Sequence, residues 1–151
     1  MAKREIETRE FGKIEVEEDE IISFPRGLPG FDNAREFILK PLKQESPFLI
    51  LQSVDHPELA FVTLEPVSFT DSYEFEINQT TQDVLEIESE EDVGVVVIVN
   101  LEGEGNQIYA NLSAPVVINV EENLARQVIL DQDVYPLRHP IELKPIREGS
   151  A

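Results

Sequence analysis

The sequence predicts a mainly-β protein: a compact antiparallel β-barrel-like single domain with short helical turns. Three observations carry this. The chain has 151 residues, of which 41% are hydrophobic, enough for one sizeable core and within the size range of one domain. Its apolar residues fall in short runs rich in Val, Ile and Phe, some alternating with polar residues and some continuous. Turn residues rather than long helical periodicities separate those runs, so strands recur at short intervals as they do in closed or nearly closed barrels. A sandwich is the alternative packing.

In chain order, Phe11 to Val16 alternates apolar and polar residues and predicts a strand wet on one side. Phe48 to Leu51 and Ala60 to Leu64 are continuous β-rich runs and predict strands buried on both faces or nearly so. Val54-Asp55-His56-Pro57-Glu58 between them is a hairpin turn, with His56 held extended by the following proline. Tyr73 to Asn78 alternates again, with Tyr73, Phe75 and Ile77 on one side and Glu74, Glu76 and Asn78 on the other. Val95 to Val99 and Val116 to Ile118 read as further buried strands, and Glu102 to Asn106 as a hairpin loop leading to Ile108. Helices are minor: Asp32 is expected to cap one turn through Glu36, and Thr80 or Thr81 another running toward Leu85. Asn123 to Leu130 suits a helix, with Val128 to Leu130 equally compatible with a strand. Pro136, Pro140 and Pro145 predict an extended, loosely held C-terminal stretch. The domain is expected to span residues 1–142, with 143–151 as a flexible tail.

Charge is the most informative part of the composition. Twelve Lys and Arg stand against 31 Asp and Glu, a formal net charge of −19. Between Lys43 and Arg126 there is no Lys or Arg, while that stretch holds 17 acidic residues from Glu45 to Glu122. Such a surface repels phosphate backbones, which disfavours direct nucleic-acid binding and suits a basic protein partner, although plain solubility accounts for an acidic surface equally simply. The densest group is Glu88, Glu90, Glu91 and Asp92. With Glu102 and Glu104 it forms the expected RNA-repelling acidic face. There is no cysteine, which excludes disulfides, thiolate metal sites and a cysteine nucleophile. The longest apolar run, Val95 to Val99, is far too short to span a bilayer, so a cytoplasmic location without membrane contact is expected.

The inventory for catalysis is thin. His56 and His139 each precede a proline, as turn residues do, and neither has a second ligand at metal-binding spacing. No phosphate loop, nucleophile elbow or HExxH sequence occurs. The 88–92 cluster lacks the alternate acids and central glycine of an EF-hand loop. No enzyme activity and no cofactor are expected; a carboxylate-based glycoside hydrolase or a calcium-binding β module is the alternative reading.

The run Ser23 to Phe31 interleaves two prolines and two glycines with Phe24, Leu28 and Phe31. Consecutive turns are forced there, and the three apolar side chains must either plug the core or face a partner. Together with Phe11-Gly12-Lys13-Ile14, Ile21 to Pro25, Phe48 to Gln52 leading into Asp55-His56-Pro57 and Phe61, and then Val95 to Val99 and Asn111 to Asn119, this run resembles the FliW flagellar assembly factor family over roughly residues 5 to 140. The resemblance implies a β-barrel-like protein with two partners: flagellin, which it binds as a chaperone-like factor, and CsrA, the RNA-binding repressor of flagellin translation. Free FliW would hold CsrA off the message, and flagellin would compete for FliW. Candidate partner contacts are Phe24, Leu28 and Phe31 in the loop and Tyr109, Asn111 and Pro115 at the later strand end.

Overall fold

β-Branched and aromatic residues, which pack well on a pleated surface, set the framework. In the computed structural model, residues 3–31, 33–102, 107–130 and 134–143 are described, with the backbone alone for Leu101 and Glu102. The strands are β1 (Lys3–Thr8), β2 (Gly12–Glu17), β3 (Ile22–Ser23), β4 (Glu36–Pro41), β5 (Leu49–Ser53), β6 (Ala60–Leu64), β7 (Val93–Glu102), β8 (Gln107–Ala110), β9 (Val116–Asn119), β10 (Leu124–Gln127) and β11 (His139–Ile141). A single short α-helix, α1 (Gln79–Val84), and three single-turn 3-10 helices at Glu18–Glu20, Pro66–Ser68 and Glu90–Asp92 are found among the described residues.

The sheet closes on itself. β7 pairs with β6 through Thr63 opposite Ile98, and with β9 through Val95 opposite Val117, so the order β7-β6-β5-β4-β3-β10-β9 returns to β7. Closure removes the edges that an open sheet would expose. β8 and β11 extend outward from the far half of β7, and β1 and β2 form a separate hairpin. Ring closure favours the barrel over the sandwich.

The ring has two ends. Residues 24–35 and 54–59 join neighbouring antiparallel strands at one end. Residues 42–48, the turn before Val93 and the 120–123 turn lie at the other. Inside, Phe24, Leu28, Phe37, Leu51, Val96, Val116, Ile118 and Ala125 form the core. β9 explains why some runs do not alternate: Val116 and Ile118 face that core while Val117 packs outward against Leu85 and Val128. Both of its faces are covered.

Several expectations change. Tyr73 to Asn78 is extended but joins no ladder; its Tyr73, Phe75 and Ile77 side chains pack on outer apolar clusters, and Tyr73 Oη donates to Leu112 O at 2.6 Å in place of strand pairing. No helix forms at Asn33 to Glu36, because Ala34 N donates to Phe31 O in a tight turn and Glu36 already begins β4. Asp32, its expected cap, lies outside the described residues. The later helix is capped two residues earlier than expected, by Asn78, whose Oδ1 accepts from Thr81 N at 2.8 Å. Asn123 to Leu130 holds the β10 strand over Leu124–Gln127 instead of a helix. The C-terminal stretch is stitched down as far as β11: Leu112 N donates to Pro136 O, and Tyr135 Oη donates to Glu74 O at 2.6 Å. Leu143 packs against the β8–β11 cluster, and residues 144–151 lie outside the described residues, as does the loop 103–106.

Candidate partner-binding surfaces

The loop 24–35 separates the two readings of its apolar residues. Phe24 is 0% and Leu28 2% exposed, and Phe24 meets the Phe37 ring edge-on at 4.9 Å between centroids. Gly27 and Gly30 take the left-handed conformation that lets the chain reverse and drive these side chains inward. Phe31, in contrast, is 44% exposed and leans on Phe61. Pro115 is buried at the start of β9. Phe24, Leu28 and Pro115 are therefore core residues without the exposed surface that a partner contact requires, because closing this end of the ring needs apolar plugs.

Tyr109 lies on β8 and Asn111 directly follows that strand, away from that loop. The Arg138 guanidinium sits 3.7 Å from the Tyr109 ring centroid and covers one face of it. Asn111 Oδ1 accepts from Ser113 N and Ser113 Oγ, so its side chain shapes the turn into β9. Of the six candidate contacts, Phe31 presents the most open apolar surface.

At the opposite end the carboxylates gather, and Asn119 organises them. Its side chain is 1% exposed; its Nδ2 donates to Leu85 O at 2.7 Å and Glu86 O at 3.1 Å, while its Oδ1 accepts from Glu121 N and Glu122 N. Val120 N donates to Asp92 O, so the Glu90–Asp92 turn is drawn to the same place. Asn123 Nδ2 donates to Asp19 O at 2.6 Å, which adds the Glu18–Glu20 turn. Glu88, Glu90, Glu91 and Asp92 are thus joined by Glu86, Glu121 and Glu122, which are adjacent in the fold but distant in sequence. Glu102 is not among them. It ends β7, whose ten residues span about 30 Å from Val93. Glu104 lies outside the described residues.

Compensation of these charges is one-sided. Arg4 bonds Glu18 through Nε and Glu36 through Nη1, both at 3.1 Å, and these hydrogen bonds raise its pKa. Glu20 accepts from Glu17 N and pairs with Lys40 at 3.2 Å; the backbone bond first and the ammonium second lower its pKa. Glu86, Glu88, Glu90, Glu91, Asp92, Glu121 and Glu122 have no cation within ion-pair distance among the described residues. The sequence reading missed Asn119 and the two distant acidic turns. An Asn following an apolar strand run and preceding two glutamates was the available signal.

One apolar opening lies beside the β4–β5 connection: a groove of about 800 Å³ lined by Leu42, Phe48, Val67 and Leu143, with Val67 65% exposed. Tyr73 is half-buried nearer the β8 extension, and burial followed by the neighbouring Tyr135 raises its pKa. Among the described residues no cluster of three or more His, Asp or Glu is placed to hold a metal ion, and no helix is long and apolar enough to cross a membrane.

A ring of strands with aromatic plugs at one end and crowded carboxylates at the other has the architecture of a small β-barrel-like protein. The family profile described as FliW protein matches residues 5–141. The flagellar assembly factor FliW of Bacillus licheniformis is 43% identical over 136 residues, covering 90% of this chain and 95% of the relative. That of Bacillus pumilus is 38% identical over 138 residues, covering 91% and 96%. A crystal structure of the flagellar assembly factor FliW superposes with a TM-score of 0.86 at 38% identity, covering 95% of this chain and all of the other. The chain belongs to the FliW family.

Proposed function

We propose that the protein binds the translational repressor CsrA and keeps it from the flagellin message, and that flagellin competes for the protein as a second, chaperoned partner. Family membership over residues 5–141 carries this reading. The uncompensated carboxylates at 86–92 and 121–122 support it physically. CsrA needs a basic surface to hold RNA, and a body of unpaired negative charge fixed beside that surface lowers RNA affinity by opposing the phosphates. For flagellin, an amphipathic helix laid in an apolar groove is the expected mode, and the opening at Leu42, Phe48, Val67 and Leu143 offers such a groove. A competition titration tests both halves. CsrA is first loaded with labelled message, then this protein is added, then flagellin. Release of RNA on the first addition and rebinding on the second is the expected order. Failure to co-elute with either partner on a sizing column sinks the reading.

A further inference from the structure

Outside the ring, residues 73–87 cross the outer face of the sheet, where Phe75, Ile77 and Ile87 pack against the cluster formed by Leu85, Val117 and Val128. The covering is incomplete. Between the extended stretch 73–77 and Val93 and Val95 of β7, a trough of about 830 Å³ stays open. Its floor is apolar and half-buried, made by Phe75, Ile77, Ile87, Val93 and Val95. Its rim carries Glu74, Glu76, Glu88 and Glu90, all exposed. None of the four has a cation within ion-pair distance among the described residues, and no Lys or Arg lines the trough.

We propose that this trough docks an apolar segment flanked by lysines or arginines, contributed by a basic protein. The charge arrangement selects that partner. Four carboxylates converging on one low-dielectric floor focus a negative potential, which repels an acidic or phosphate-bearing ligand and draws a cationic one. The apolar floor supplies what the rim does not, since exposed ion pairs contribute little affinity each while desolvated apolar contacts at the centre of an interface contribute most. The alternation of Tyr73 to Asn78 acquires a purpose on this account. One face of the segment anchors it to the barrel and helps to build the floor, and the other supplies Glu74 and Glu76. Resting on the function proposed above, the basic partner is the RNA-binding repressor, and the rim carboxylates both hold it and oppose its RNA.

The experiment is a calorimetric titration of the full-length chain with purified CsrA, repeated with a labelled heptapeptide of alternating lysine and leucine. The double substitution Glu76→Lys with Glu88→Lys is expected to weaken both titrations at least about tenfold, because it reverses charge on the trough's rim. The control Glu5→Lys with Glu7→Lys, an equal change of net charge on exposed residues of the separate β1–β2 hairpin, is expected to weaken them less than about threefold. Val95→Glu, which places a charge on the floor, tests the apolar half and is expected to abolish peptide binding while circular dichroism and melting confirm the fold. Equal losses from trough and control variants would reduce the trough to long-range charge and overturn the proposal, as would unchanged binding in the trough variants. If the wild-type chain does not bind CsrA, the functional reading fails, and the peptide titration alone decides whether the trough is a docking site.

Discussion

The two ends of the ring serve opposite ends of the same strands, yet they differ in what they do with their side chains. At the 24–35 end, the connection turns inward and spends its aromatic residues on the core, with Phe24 and Leu28 buried and Phe31 alone left at the surface. At the 120–123 end, the connection turns outward. One buried amide, Asn119, bonds the backbone of the 85–86 and 121–122 turns, Val120 N draws in Asp92, and Glu86, Glu90, Glu91, Glu121 and Glu122 face solvent. The first end is held by apolar area removed from water, the second by hydrogen bonds made where water is excluded. A protein can therefore crowd charge at one end without weakening its core, provided a neutral polar group organises the crowd.

The contrast within the first end is the sharpest to test. Phe24→Ala is expected to cost about 3 to 5 kcal/mol of unfolding free energy in urea, as removal of a fully buried aromatic ring does. Phe31→Ala, seven residues further along the same loop, is expected to cost less than about 1 kcal/mol. Comparable losses from the two would mean that Phe31 also plugs the ring. At the opposite end, Asn119→Ala removes four hydrogen bonds and leaves buried partners unsatisfied, so a loss of about 2 to 4 kcal/mol is expected in guanidinium titrations. A neutral outcome there would show that water replaces the amide.

A smaller effect of opposite sign belongs to Glu86. It follows the C-terminal cap of α1 at φ 55 and completes a Schellman turn, with Ile87 N donating to Gln82 O and Glu86 N to Asp83 O. Glycine adopts that conformation without strain, so Glu86→Gly is expected to stabilise by about 0.5 to 1 kcal/mol, read as a raised denaturation midpoint. The smallest effect separates compensated from uncompensated acids by pH. Glu20 has a lowered pKa in the folded state, chiefly from the Glu17 N–H and then from Lys40. A lowered carboxylate pKa stabilises the fold above the unfolded value, ordinarily 4.5, and that contribution is lost as pH falls through the folded value. The stability gap between wild type and Glu20→Gln should accordingly be present at neutral pH and close in acid. The gap for Glu91→Gln, whose carboxylate has no cation beside it, should show no such gain at neutral pH. A gap for Glu20→Gln that widens on acidification contradicts the assignment.

Much of the fold was legible one residue at a time. The strand at Ala60 to Leu64 appears with the expected bounds, and the hairpin turn at Val54 to Glu58 connects β5 to β6 as its proline and acidic residues foretold. Local pattern suffices there because side-chain period and turn chemistry are local properties. The stretch Tyr73 to Asn78 shows the limit: alternation marks an amphipathic extended chain, but whether it finds a ladder partner depends on which strands already occupy the neighbouring edges. The same holds for Phe24 against Phe31, whose composition is alike and whose burial differs completely.

By itself, the sequence determined that the chain is mainly β, strongly acidic, and free of Lys and Arg from 44 to 125, because composition and short-range periodicity require no knowledge of distant contacts. Only the tertiary structure decided that β7 pairs on both sides and closes the ring, that Glu102 stands a strand's length from Asp92, and that Glu121, Glu122 and Asp19 join the acidic end. Those are distances between residues far apart in the chain, fixed by register and by buried amides such as Asn119, and no local pattern encodes them.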